Sequence, residues 1–214
     1  MKNLLALCFL IVSGFAITAC AQTNGKMSSS SAELRDFDGI ALGISADVYV
    51  SQGEYNVEVT GPEKSVDQVE LNANGGTLGI GTKRGTRNWN SRGVKVYVTM
   101  PNLSSIAIGG SGDVKVKDNF NDMKNLEISI GGSGNVEIAG KASRVEVSVA
   151  GSGDVDASGV DANRAEISIA GSGNVKVGEV DKLEVSIAGS GDVYYKGNPS
   201  VEKSVVGSGN VRKL

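Results

Sequence analysis

Thr82 to Gly93, TKRGTRNWNSRG, holds Lys83, Arg84, Arg87 and Arg92 around Trp89, the only tryptophan of the chain. An indole flanked by cationic and carboxamide side chains can stack on a sugar face and hydrogen-bond its hydroxyls or carboxylates. These five residues are therefore the candidate ligand-binding set. The competing reading is a solvated loop whose tryptophan packs back on its own domain. Other chemistry is scarce. The chain has no histidine, which removes the commonest general base and a usual zinc ligand. Its two cysteines are Cys8 and Cys20. No catalytic residue, metal site or cofactor is expected, and the chain is not expected to be an enzyme.

Serine and aspartate do recur, but as a repeat. GSGD begins at Gly110, Gly151 and Gly189, and GSGN at Gly132, Gly171 and Gly207. Ser111, Ser133 and their equivalents read as corner residues rather than nucleophiles. A carboxylate pair of the kind used by polysaccharide-cleaving β-helices would need one distinct cluster, whereas here Asp and Glu recur evenly. Gly109 to Asp113 is similar to the calcium-binding nonapeptide GGxGxD, but its aspartate comes one position early and its period is about twice as long, so paired half-sites would not form.

The phrases are spaced 18 to 22 residues apart, each preceded by an alternating apolar run and followed by Val. Val145, Val147 and Val149 alternate with Glu146 and Ser148, the period of a strand with one buried face. The glycines tolerate the positive φ of a tight corner. A coil of this size cannot bury its own apolar face, so it must stack on its neighbours. The expected fold is all-β: a single-stranded parallel β-helix (solenoid), right-handed, with two or three short strands per coil and an irregular β-rich cap at its N-terminal end. A short helical turn is expected within Pro62 to Leu71.

Stacking explains the alternation of Asp113, Asn135, Asp154, Asn174, Asp192 and Asn210. Carboxylates stacked about 4.8 Å apart would repel by roughly 1 to 3.5 kcal/mol, and an interposed amide doubles their separation and bridges them. An outward column of Glu127, Glu146, Glu166, Glu184 and Glu202 lacks that relief, but Arg144, Arg164 and Lys182 stand two residues before three of these, positioned for diagonal pairing. At the last copy Lys203 falls on an inward position, where a charge blunts an open β-edge.

Residues 1–19 read as a lipoprotein signal peptide. Lys2 gives a positive start, Leu4 to Ile17 an apolar stretch, and Ile17-Thr18-Ala19-Cys20 is similar to a lipobox. Cys20 is then the lipid attachment site, although Ala19-Cys20-Ala21 also suits ordinary cleavage after Ala21. Residues 20–33 read as a flexible Ser-rich tether, and 34–214 as the β-helical domain, with GSG[D/N]V repeats from 110 to 211. The membrane, reached through the N-terminal lipid, is one expected partner; a glycan or protein is another. With a formal net charge of −3 and no visible basic face, nucleic acid is not. The expected location is the bacterial cell envelope, lipid-anchored at the outer membrane and either periplasmic or surface-exposed, with secretion as the alternative.

An ordered set of motifs now stands out: Asp36-Phe37-Asp38-Gly39-Ile40, Asp47-Val48-Tyr49-Val50-Ser51-Gln52-Gly53, Gly76-Thr77-Leu78, and Met100-Pro101-Asn102-Leu103 leading into Ile108 to Val114. Through these the chain resembles the GIN-type head domain of the putative autotransporter adhesins, over nearly all of its mature length. The resemblance implies a β-helix-like fold and an adhesive role, with no catalytic residues to carry over. No translocator follows in the sequence, so self-secretion is not expected. The alternatives to adhesion are a structural envelope module without a dedicated ligand and a polysaccharide-active β-helix.

Overall fold

Alternating valine and isoleucine runs form strands because β-branched side chains pack well on a pleated surface and poorly in a helix. The structure, a computed structural model, describes residues 26–86, 89 and 91–214; Cys20 and Arg87 lie outside the described residues. The irregular half comprises β1 (Met27–Ala32), β2 (Gly39–Leu42), β3 (Asp47–Gln52), β4 (Asn56–Pro62), a single helical turn α1 (Glu63–Val66), β5 (Val69–Asn74), β6 (Thr77–Thr82) and β7 (Lys95–Met100). The repeat half follows with β8 (Ser105–Ile108), β9 (Val114–Val116), β10 (Phe120–Ile130), β11 (Val136–Gly151), β12 (Val155–Gly171), β13 (Val175–Gly189), β14 (Val193–Lys196), β15 (Ser200–Gly207) and β16 (Val211–Lys213).

These strands stack into a parallel β-solenoid. One wall runs β6, β2, β8, β10, β11, β12, β13, β15, every neighbour parallel. A second runs β7, β3, β9, then the first residues of β11, β12 and β13, then β14 and β16. A short third wall joins Ala142, Ala162 and Val180. Coil length varies there: between Ala157 and Ala162 the register with β13 shifts, taking up two residues without disturbing the other walls.

The coils are not stacked in chain order. The β2/β3 coil lies between the later β6/β7 coil and the β8/β9 coil. β4 runs back antiparallel to β7, α1 carries the chain in that same backward sense from the second wall to the first, and the β5–β6 hairpin turns it forward again to lay β6 parallel to β2. Gly75 and Gly76 close that hairpin with φ of 58° and 80°, the pair of left-handed residues that matches the twist of two adjacent strands. β1 then covers β4. This corrects the reading of 20–33 as a tether throughout: Met27–Ala32 is a strand, because its backbone satisfies the free edge that β4 would otherwise expose.

The core is one column of inward side chains. Leu126, Ile128 and Ile130 are at most 1% exposed, with Val145, Val147 and Val149 next to them in register. Burying each stabilises the stack by about 1.5 to 3 kcal/mol. At the far end β15 is exposed throughout, and Lys203 sits in register with the buried Val185.

Candidate functional site

Close approach fixes the corner phrase as firmly as backbone freedom does. Gly151 takes a φ of 149°, which only glycine adopts readily. Gly153 is glycine for a different reason: a Cβ there would strike the Gly134 carbonyl oxygen and lie 2.8 Å from Ile130 Cγ2. Each corner therefore rests directly on the preceding one, and the fourth-position side chains come into line. Asn135 Nδ2 donates to Asp113 Oδ1 at 2.8 Å, Asn174 Nδ2 to Asp154 Oδ1 at 2.9 Å and Asn210 Nδ2 to Asp192 Oδ1 at 3.1 Å. In the other direction Asn135 Oδ1 and Asn174 Oδ1 accept the backbone N–H groups of Asp154 and Asp192, each at 3.1 Å. The carboxamide donates to the carboxylate on one side and accepts a backbone N–H on the other, so an amide between two carboxylates keeps like charges off adjacent corners. The bonds from Asn210 hold the Asp192 carboxyl below its ordinary range, helped by the Tyr194 hydroxyl at 3.2 Å.

The outward wall is neutralised along the stack. Arg144 Nη2 lies 2.5 Å from Glu166 Oε2 on the following coil and 3.5 Å from Glu146 on its own; Arg164 Nη2 reaches Glu184 Oε2 at 2.7 Å, and Lys182 stands 4.0 Å from Glu202. Half-exposed pairs of this kind contribute little each, but they leave the wall without a dominant sign of charge. On the neighbouring wall Lys176 pairs with Asp156 at 3.2 Å. Partial burial pushes the Asp156 carboxyl up, yet hydrogen bonds from Ser158 and Lys176 outweigh it and the net shift is downward. A 950 Å³ groove follows the third corner past Lys124, Lys141, Asp161, Asn163 and Asn198. Among the described residues no group of three or more His, Cys, Asp or Glu is arranged to hold a metal ion.

The loop of Lys83, Arg84, Trp89 and Arg92 is tied to the helical turn beside it. Trp89 is half-buried against the core, and its Nε1 donates to the Ser65 carbonyl at 3.2 Å. Lys83 Nζ donates to the Asp67 carbonyl at 2.6 Å, and the Thr86 hydroxyl to the Lys83 carbonyl at 2.7 Å. Arg84 and Arg92 are exposed. The indole edge and one ammonium are thus engaged within the domain.

A second aromatic cluster lies on the outward face of β3 and β7. Tyr49 and Tyr97 occupy register positions on these adjacent strands, with ring centroids 5.3 Å apart and planes within 19°. Lys117 Nζ stands 5.1 Å from the Tyr49 centroid and Lys95 Nζ 5.9 Å. The sequence holds the needed signal, since both tyrosines take the outward place in a Val-Tyr-Val alternation. Nothing in it shows that these two strands are neighbours, because a period-2 pattern states which face is outward and not which strand lies alongside.

Residues 36–199 match the family model described as "Putative auto-transporter adhesin, head GIN domain". Among solved structures, a "putative adhesin" from Bacteroides fragilis superposes with a TM-score of 0.72 at 22% identity, over 88% of this chain and 97% of that one. A "putative lipid binding protein" from Parabacteroides distasonis gives 0.55 at 27% identity, over 89% and 98%. A "putative adhesin" from Parabacteroides merdae gives 0.54 at 21%, over 89% and 97%. Comparison with curated proteins finds no match.

Proposed function

From the premise that the chain belongs to the family of putative auto-transporter adhesins with a head GIN domain, we propose that it is a non-enzymatic, lipid-anchored cell-envelope protein that binds a glycan or protein partner through its stacked surface. The observation that carries this reading is the solenoid wall itself. The polar side chains of its corner column and of one outward face hold the stack: carboxylates bond to amides of the next corner, and arginines pair with glutamates of the next coil. Side chains committed in this way act as a rigid template rather than as acids, bases or nucleophiles. Binding to such a template costs little ordering of the protein, which favours recognition of an extended partner.

The test is a glycan array and an extracellular-matrix pulldown with the full-length protein in detergent, with a liposome arm because one structural neighbour carries a lipid-binding name. Saturable capture of a glycan or matrix protein is expected. Capture by bare liposomes alone would replace the reading with lipid binding, and no capture in any arm would leave a structural envelope module. Turnover of a polysaccharide would overturn the non-enzymatic assignment.

A further inference from the structure

Taking the adhesive reading as its basis, we infer that Tyr49 and Tyr97, with Lys95 and Lys117, form a subsite for a carboxylate-bearing sugar. Rings that are nearly parallel with centroids 5.3 Å apart must be offset by about 4 Å if their planes keep van der Waals spacing of about 3.5 Å. They lie like shingles, so part of each face stays uncovered, and Tyr97 is 40% exposed. The C–H face of a pyranose packs on such a surface, while the phenol hydroxyls present donors to its oxygens.

Charge selects the class of sugar. Among the described residues no carboxylate comes within ion-pair distance of Lys95 or Lys117, although Lys115 on the same wall is 3.9 Å from Glu137. Asp47, the register partner of Lys95, does not approach its ammonium. Asp118, next to Lys117, is engaged by the backbone N–H of Gln52 at 2.9 Å, and Glu58, the cross-strand neighbour of Tyr97, accepts the Ser29 hydroxyl at 2.6 Å. Two ammonium groups beside an aromatic step thus lack an anionic partner, which a uronate-type carboxylate would supply.

The experiment titrates the full-length protein with oligogalacturonate and with its methyl ester, which keeps the sugar face and removes the charge. Oligogalacturonate should bind, and the ester should bind roughly tenfold or more weakly, the effect of losing a charged hydrogen bond. Tyr97→Ala and the double variant Lys95→Gln/Lys117→Gln should each weaken oligogalacturonate binding by a similar factor, at an unchanged melting temperature. The double variant should bind acid and ester alike, at the affinity the parent shows for the ester, a residual binding that loss of folding would not leave. Absence of oligogalacturonate binding, equal binding of acid and ester, or full binding by both variants would overturn the subsite. The adhesive reading is judged separately: array or matrix capture without any oligogalacturonate binding keeps adhesion and removes this site, whereas oligogalacturonate binding with an otherwise empty array keeps the site and narrows adhesion to acidic sugars.

Discussion

Asn174 shows how much one side chain decides. Its Nδ2 donates to Asp154 Oδ1 at 2.9 Å while its Oδ1 accepts the Asp192 N–H at 3.1 Å. Asn174→Asp keeps the acceptor but replaces the donor with a second oxygen facing a carboxylate. A loss of roughly 1 to 3 kcal/mol is expected from the new like-charge contact, measured as a lower melting temperature at neutral pH. High salt should shrink it by screening, and acid by protonation. Asn174→Ser removes the bond without adding charge, so its smaller loss should show neither dependence. Acid acts on the parent through a related linkage. The Asp156 carboxyl sits below its ordinary range in the folded chain, so the stability its ionised form contributes is present above the ordinary carboxylate range and is lost as pH falls through the depressed value. Asp156→Asn should flatten the acid limb of a stability-versus-pH curve; an unchanged limb would show that Asp156 is not among the groups that set it.

The corner phrase is the element on which stacking depends, and its glycines differ from Gly109, which precedes the first copy. Gly153 packs against the carbonyl of the preceding corner, whereas a Cβ on Gly109 would meet nothing within 4 Å. Gly153→Ala should therefore cost roughly 2 to 4 kcal/mol through forced separation of two coils. Gly109→Ala should stay within about 0.5 kcal/mol of the parent. Chemical denaturation of the two variants checks both. Equal effects would mean that the corners do not touch.

The order of coils and the attachment to the envelope belong to the whole molecule. Ala41 and Ala107 are register partners on β2 and β8, which a chain-ordered stack would separate by the β6/β7 coil. Neighbouring parallel strands bring Cα atoms within disulfide range, about 4.4 to 6.8 Å. Ala41→Cys with Ala107→Cys should therefore cross-link on oxidation, detected as a mobility shift on non-reducing electrophoresis. Failure to cross-link in the folded protein would favour sequential stacking. Attachment is tested at Cys20: Cys20→Ser should abolish acyl labelling and move the protein from the membrane fraction to the soluble one, and unchanged fractionation would count against the lipid anchor.

Sequence alone determined what repeats. The alternation of Val and Ile, the Gly-Ser-Gly corners, the Asp/Asn column and the Arg-to-Glu diagonals are each visible because the same physical demand returns once per coil. Register follows when every coil makes the same contacts with the next. Tertiary structure decided what happens once. The place of β2/β3 between β6/β7 and β8/β9, the strand made by Met27–Ala32, the tie between Trp89 and Ser65, and the meeting of Tyr49 with Tyr97 all arise in the irregular half. They depend on how β4, α1 and β5 turn the chain back. A period-2 pattern states which face of a strand is buried, but it carries no information about which other strand lies beside it. In the repeats, identity between coils supplies that information; in the cap, only the folded chain does.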